Sequence, residues 1–116
     1  MESIVTKYMN NCIICGKPDP DIHHGISGTA NRKVSDAEHL LFPVCPEHHN
    51  MGNNSIHLNP IVNTWSKIAA ELAWECQYLA QQLADVDKNG LDIKSVDEWR
   101  EEAREKFRKK FGQNFV

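Results

Sequence analysis

The second half of the chain repeats apolar residues at intervals of three and four, as one face of an α-helix does. This pattern predicts a helix over 61–86 that ends at Asn89-Gly90, where glycine favours the left-handed conformation of a helix end. We expect its apolar stripe to be buried; the stripe consists of Trp65, Ile68, Ala69, Leu72, Cys76, Leu79 and Leu83. Cys76 is then a small buried hydrophobe rather than a reactive thiol.

A second, shorter helix is predicted between Ser95 and Gly112. Ser95 and Glu98 have the spacing of a capping box, and Gly112 suits a helix end. Its expected buried side is formed by Val96, Trp99, Ala103, Phe107 and Phe111. Cationic residues crowd its last turns, where they either interact favourably with the helix dipole or bind phosphate. The candidates for phosphate contact are Arg104, Arg108 and Lys109.

Residues 1–60 have a different character, rich in Gly, Pro and Asn with short apolar runs such as 40–44. This composition predicts loops, short strands and a short helix. The segment has too little apolar mass to fold alone, so a bound metal is expected to supply stability. We therefore expect one α+β domain, with a core at 1–60 and a helical extension at 61–116 packed on it.

The bulk composition is that of an ordinary globular chain: 116 residues, 41% hydrophobic and 25% charged. No apolar run approaches the roughly 20 residues that cross a bilayer. The N-terminal residues lack the apolar core of a signal peptide. We expect a cytosolic protein with no membrane contact. The net charge of −3 argues against coating nucleic acid through bulk electrostatics, so any contact with DNA should be local.

The chain's clearest motif is a pair of two-residue spacings, Cys12-x2-Cys15 and Cys45-x2-His48. In a reducing compartment such a cluster favours metal over disulfides. Three thiolates and one imidazole suit a closed tetrahedral zinc site, which is structural because no coordination position stays open. The two-residue spacing favours His48 over His49 as the fourth ligand.

All six histidines lie between residues 23 and 57, and His23 and His24 are adjacent. Neighbouring residues on a strand point to opposite sides, so one imidazole can face a metal while the other faces water. Neutral imidazole serves both as a base near pH 7 and as a metal ligand. Hydrolysis of a phosphodiester needs both functions.

These residues carry a resemblance to a known family; the motifs are Cys12-x2-Cys15, His23-His24, Cys45-x2-His48-His49 and Ser55-Ile56-His57. They resemble the HNH, or ββα-metal, endonucleases, and most of all the small phage-encoded group related to the Ref recombination-enhancement nuclease. Two further fragments, 28–33 and 111–115, are also similar to that group. The resemblance implies a zinc-stapled ββα-metal core and a location in the cytoplasm of a bacterial host.

The resemblance also implies roles for individual residues. His24 would be the general base, while His23 and His49 would bind one catalytic divalent cation, Mg²⁺, Mn²⁺, Ni²⁺ or Zn²⁺. His57 would be either a third ligand or a phosphate contact. His39 stands where the family usually has an asparagine that orients the base, and is a catalytic candidate on that ground.

Two assignments stay open in the sequence. Asn31 competes with His39 for the central position of the HNH motif. Arg32 and Lys33, which follow the proposed base by eight and nine residues, either clamp a neighbouring phosphate or belong to a solvated loop.

The implied activity is a nicking or non-specific DNA endonuclease, with single-stranded and structured DNA among the candidate substrates. A monomer would nick one strand, and a homodimer would cut both. The first alternative is a zinc-stabilised module that binds nucleic acid or protein without catalysis. A zinc hydrolase acting on another substrate is the second, although no H-E-x-x-H signature supports it.

Overall fold

The computed structural model describes residues 2–89 and 94–116. Within them the chain forms two short strands, three α-helices and one π-helical turn. In chain order these are β1 (Asp21–His24), α1 (Thr29–Ala37), β2 (Leu41–Val44), the π-helical turn (Glu47–Met51), α2 (Pro60–Asn89) and α3 (Val96–Phe111). The predicted α+β class is confirmed, as are the loops and short elements of the first sixty residues.

The two strands pair in an antiparallel sheet whose register sets His23 opposite Phe42 and His24 opposite Leu41. β2 is buried along its whole length, as its apolar sequence requires. The chain turns directly after the histidine doublet at Gly25, where an added Cβ would lie 2.9 Å from Leu40 Cγ and 3.0 Å from Ala70 Cβ. Glycine therefore lets the end of β1 approach α2 closely.

The predicted ends of α3 are confirmed. The Ser95 hydroxyl accepts a hydrogen bond from the Glu98 backbone N–H at 3.1 Å. Gly112 has a φ of 94° and donates its N–H to Arg108 O at 2.7 Å. Four of the five predicted apolar positions are buried: Trp99, Ala103, Phe107 and Phe111. Val96 is exposed instead, because the first residue of α3 extends past the surface that this helix covers.

The helix α2 is also confirmed, but the prediction of its buried face is wrong at most positions. Of the predicted stripe, Ala69 packs against the core and the Trp65 ring contacts Phe42. The buried residues are Ser66, Ala70, Glu71, Trp74 and Glu75, whereas Trp65, Leu72, Cys76 and Leu83 are exposed. The core lies against the side of α2 that carries two glutamates, because their carboxylates find partners in the C-terminal residues. The proposed stop at Asn89-Gly90 falls partly outside the described residues, since Gly90 is not among them.

One hydrophobic core joins the two halves of the chain. It combines Leu40, Phe42 and Val44 from around β2 with Trp74 of α2 and Phe107 of α3. The sheet that carries the histidines is thus supported by both long helices.

Although α2 is long, none of the described helices combines sufficient length and hydropathy to cross a membrane.

The C-terminal residues are tied to α2 through its two buried glutamates. Glu71 accepts hydrogen bonds from the Asn114 side chain, at 2.9 Å, and from the Phe115 backbone N–H. Glu75 lies 3.4 Å from Nε of Arg104. Burial, together with a hydrogen bond to Glu71, raises the pKa of Glu75 to about 7. At neutral pH the Glu75 carboxyl is therefore protonated part of the time.

Candidate metal centres

The first candidate centre is built on the loop that carries Cys12 and Cys15. Cys12 N–H donates to Lys17 O at 2.8 Å, and Gly16 N–H donates to Cys12 O at 2.9 Å, which closes a tight turn. Gly16 has a φ of 81°, a conformation that glycine adopts without strain. The loop is joined to β2 by a hydrogen bond from Ile13 N–H to Pro43 O at 2.8 Å. This contact brings the first cysteine pair to the second motif at the end of β2.

The four predicted ligands come together. Ligand atoms of Cys12, Cys15, Cys45 and His48 all lie within 4.8 Å of one another. The Cys15 and Cys45 sulfurs are 3.7 Å apart, and Cys45 Sγ lies 3.2 Å from His48 Nδ1. In a tetrahedral site with zinc–sulfur bonds of about 2.3 Å, two sulfurs are separated by about 3.8 Å. The cluster can therefore hold a metal ion such as zinc.

The electrostatics at Cys12 also suit a metal ligand. Burial alone would raise the pKa of this thiol, but hydrogen bonds from the backbone at Cys45, Cys15 and Ile14 outweigh it and lower the pKa to about 6. Cys12 is thus largely a thiolate at neutral pH, which is the form that binds metal. Because backbone N–H groups already point at the sulfur, the loop is prepared for the ion.

A second cluster of three histidines lies beside the first. His23, His49 and His57 have ligand atoms within 4.8 Å of one another, and their ring centroids are 4.8 to 5.4 Å apart. His23 is 4% exposed and its ring contacts Phe42, so the strand pairing fixes its position. Three imidazoles at this separation form a site that suits a transition-metal ion.

His57 reaches this cluster through a fold of the chain that its distance in sequence from His49 does not reveal. The backbone N–H of Ile56 donates to His48 O at 2.7 Å, and that of His57 donates to His49 O at 3.0 Å. These two bonds return the segment 50–55 to the π-helical turn and set the two imidazoles side by side. Gly52 makes the turn possible, since an added Cβ would lie 2.6 Å from Glu47 O.

Two of the three imidazoles, those of His23 and His57, are held in the neutral state that binds metal. Burial, together with the charges of His49, His57 and His24, lowers the pKa of His23 to about 3. Burial and the charge of His49 also lower the pKa of His57. The nitrogen lone pairs of His23 and His57 are therefore free at neutral pH.

Two carboxylates that the sequence analysis did not single out lie against these histidines. Asp21 Oδ2 is 3.4 Å from His49 Nδ1, and Asp36 Oδ1 is 3.6 Å from His24 Nε2. Strand alternation could have predicted the place of Asp21, because residues 21 and 23 of one strand face the same side of the sheet. No local pattern predicts the contact of Asp36, since this residue reaches His24 from α1.

The histidines open on a cleft of about 450 Å³. Its lining includes the cluster of three histidines, His24, the residues that begin α1 and Arg32. Gly28 caps α1 without a side-chain hydrogen bond, so the first backbone N–H groups of the helix lack that partner. The cleft thus combines imidazole nitrogens with a guanidinium group.

The remaining predicted site residues lie elsewhere. His39 follows α1 with a φ of 57° and lines a separate hollow near Ser3 and Thr6, so the structure does not bring it to the cleft. Asn31 and Lys33 are on α1 but are not among the residues that line the cleft.

The cationic residues of α3 are also outside the cleft lining. Arg104 pairs with Glu75, Arg108 pairs with Glu105 one turn earlier, and Lys109 is exposed on the last turn. Two of the three are thus engaged by carboxylates of the chain itself. This arrangement agrees with the helix-dipole explanation of the cluster.

Comparison of the chain with protein-family models, curated proteins and solved structures gave no match. The functional interpretation therefore rests on the geometry of the two clusters and of the cleft beside them.

Proposed function

We propose that this protein is a metal-dependent DNA endonuclease of the HNH type, of phage origin, that nicks DNA or cuts it without strong sequence preference. One observation carries the proposal: His23, His49 and His57 form a metal-binding group at a cleft that also holds His24. This pairing supplies a Lewis acid and a base at one place, which phosphodiester hydrolysis requires.

The residues of the cleft divide the work between them. A divalent cation bound by the three histidines would polarise the phosphate and stabilise the charge of the leaving oxygen. His24 follows His23 on β1, so its imidazole is available to take a proton from the attacking water. Asp36, 3.6 Å from His24 Nε2, stabilises the imidazolium that this transfer produces. Arg32 lies on the same cleft and would hold a phosphate of the bound strand.

The Cys12, Cys15, Cys45 and His48 cluster has a different task in this proposal. Its four protein ligands leave no open position, so a zinc ion there is structural. It fastens the end of β2 to the cysteine loop. Because His48 and His49 are neighbours, this zinc site also fixes the backbone that presents His49 to the second centre.

A second candidate function is a zinc-stabilised module that binds nucleic acid or protein without cutting it. The placement of His39 outside the cleft favours this alternative, because the described residues then offer no central residue of an HNH motif at the base. The three-histidine cluster would hold a second structural ion. One measurement separates the two functions: only the nuclease hydrolyses the phosphodiester backbone of DNA.

The experiment that tests the proposal is cleavage of supercoiled plasmid by purified zinc-loaded protein, with Mg²⁺, Mn²⁺, Ni²⁺ or additional Zn²⁺. The proposal predicts conversion of supercoiled to nicked DNA with at least one of these ions, and loss of this activity in His23→Ala. The structural zinc content of His23→Ala is measured alongside, so that the loss is compared between folded proteins. No cleavage above background with any of the four ions would overturn the nuclease in favour of the binding module.

A further inference from the structure

The exposed side of α2 carries an apolar stripe, called here the outer stripe: Ile61, Trp65, Ile68, Leu72, Cys76, Leu79 and Leu83. Ile61 is 80% exposed, Trp65 43%, Leu72 45% and Leu83 52%. The stripe lies on a different face from Ala70 and Trp74, which pack into the core. Exposed apolar residues in a continuous row, rather than scattered singly, mark an interaction surface.

The outer stripe repeats every eleven residues: Leu72 follows Ile61 by eleven positions, and Leu83 follows Leu72 by eleven. An eleven-residue period gives about 3.67 residues per turn, so the stripe stays on one side of a nearly straight helix. It extends over about 33 Å of helix and is about 10 Å wide. A surface of this shape fits another long helix lying along it.

The spacing of the apolar residues in the outer stripe is the same when read from either end. Its spacings are four, three and four on each side of Leu72. If a second α2 lay antiparallel with the two Leu72 side chains in contact, Ile61 would meet Leu83, Trp65 would meet Leu79, and Ile68 would meet Cys76. Because two identical chains related by a two-fold axis pair residue i with j wherever j pairs with i, this antiparallel pair would bring apolar residues together at each of these positions.

The charges of α2 are arranged compatibly with such a pair. Between Ile61 and Leu83 the helix has three charged residues, Lys67, Glu71 and Glu75. Glu71 and Glu75 are buried against the C-terminal residues, and the Lys67 ammonium lies 5.6 Å from the centre of the Phe115 ring. The outer stripe therefore carries no charge. Two copies of α2 paired along the stripe would therefore bring no like charges of this helix together, although each chain has a net charge of −3.

We infer that the outer stripe is the interface of a homodimer in which two copies of α2 pack antiparallel about Leu72. The partner is a second copy of this chain because the stripe is complementary to itself, and its lack of cations excludes nucleic acid. An interface of standard size covers roughly 800 Å² on each partner, more than a single helix stripe provides, so we expect a dimer that dissociates on dilution. This inference does not depend on the proposed nuclease activity.

The test is the solution mass, by sedimentation or light scattering, of the zinc-loaded full chain and of two variants at the proposed axis. The unmodified chain should be a dimer at high concentration. Leu72→Glu and Leu72→Lys should each weaken the dimer at least about 100-fold, because both place like charges opposite each other in an apolar interface. Gln81→Glu adds the same charge at an exposed position of α2 outside the stripe and should leave the mass unchanged.

Mixing the two variants tests whether the two Leu72 side chains face each other across the axis. Leu72→Glu and Leu72→Lys should form a mixed dimer, since opposite charges then face each other across the axis, which is expected only if residue 72 of one chain meets residue 72 of the other. Unchanged circular dichroism and zinc content would show that each variant is folded. A monomeric unmodified chain at its highest soluble concentration, a dimeric Leu72→Glu variant, or a mixture that stays monomeric would each overturn the inference.

Discussion

Asp21 Oδ2 lies 3.4 Å from Nδ1 of His49, which connects the first residue of β1 to a ligand of the three-histidine cluster. A carboxylate bonded to one ring nitrogen of a histidine settles which nitrogen carries the proton and leaves the other for metal. If the three histidines hold a metal ion, as we propose, Asp21 positions His49 for it and is not itself a ligand.

Asp21→Asn should weaken binding of Mn²⁺ or Co²⁺ at the second centre by about 10- to 100-fold, the usual effect of losing such a support. The structural zinc should be retained, because Asp21 is not part of the four-ligand cluster. Calorimetric titration of the zinc-loaded chain measures this affinity. Asp97→Asn, an exposed change on α3, is the matched control; equal affinities for the two variants would contradict the role of Asp21.

Removal of one thiolate from the first centre should abolish the fold of the N-terminal half. Cys15→Ser leaves three ligands and removes the link between the cysteine loop and β2, so we expect zinc loss and a broad, early thermal transition. Cys76→Ser changes an exposed thiol outside the cluster and should shift stability by no more than about 0.5 kcal/mol. Metal analysis and melting of both variants provide the measurement. If zinc-free protein melted cooperatively at the melting temperature of the unmodified, zinc-loaded protein, the structural role of the zinc would be refuted.

The buried pair of Glu71 and Glu75 predicts a pH dependence of stability. Glu75 has a pKa of about 7 in the fold and about 4.3 when unfolded, so the folded chain holds more protons between these values. Its protonated form contributes stability that is complete below the lower value and is lost as pH rises through about 7. Glu75→Gln imitates the protonated form. The free energy of unfolding of Glu75→Gln, minus that of the unmodified chain, should therefore increase as the pH is raised from about 5 to about 8.

Chemical denaturation of the two proteins at each pH measures this difference, in which effects common to both, such as loss of zinc in acid, cancel. A difference that is constant over the range would mean that Glu75 is ionised in the fold. Glu101→Gln, an exposed change on α3, should show no such trend.

Contacts with DNA should depend on Arg32 more than on the cationic end of α3. Arg32 lines the cleft, whereas Arg108 is paired with Glu105. Arg32→Gln should reduce the slope of log affinity against log salt by about 1, the effect of one lost phosphate contact, and Arg108→Gln should not. Fluorescence anisotropy with a short duplex and the non-cleaving His24→Ala background measures both. If only Arg108→Gln reduced the salt dependence of binding, the DNA contact would lie on α3 and not at Arg32.

The sequence was most informative where spacing is local. The pairs Cys12-x2-Cys15 and Cys45-x2-His48 predict a metal cluster because two ligands on one turn are held together by the turn itself. The ends of α3 were predicted for the same reason, since Ser95 and Gly112 act on backbone groups of adjacent residues. The position of His57 does not follow from local spacing, because it depends on hydrogen bonds that bring the whole segment 50–57 back to His48 and His49.

The error at α2 has a different origin. Periodicity reveals which residues share a face of a helix, but not which face meets the core. Glu71 and Glu75 argued against burial of their side because their partners, Asn114 and Arg104, come from distant parts of the chain. Periodicity therefore predicts a buried stripe, whereas the structure leaves Trp65, Leu72, Cys76 and Leu83 exposed.

The account of catalysis depends most on His24. Its imidazole lies on the cleft but outside the group of three metal-binding histidines, so His24→Ala should keep both metal ions and bind DNA. Loss of a general base typically lowers the rate by about 10²- to 10⁴-fold. His39→Asn is the matched control, because asparagine tolerates the left-handed backbone of residue 39 and the side chain lies outside the cleft.

The most direct test is the single-turnover rate of plasmid nicking by His24→Ala, His39→Asn and unmodified protein, each with verified metal content. The account predicts that His24→Ala loses about 10²- to 10⁴-fold in rate at full metal occupancy, while His39→Asn cuts as the unmodified protein does. Nicking by fully loaded His24→Ala at the unmodified rate would contradict the account, because the cleft would then have no base at the position the proposed mechanism requires.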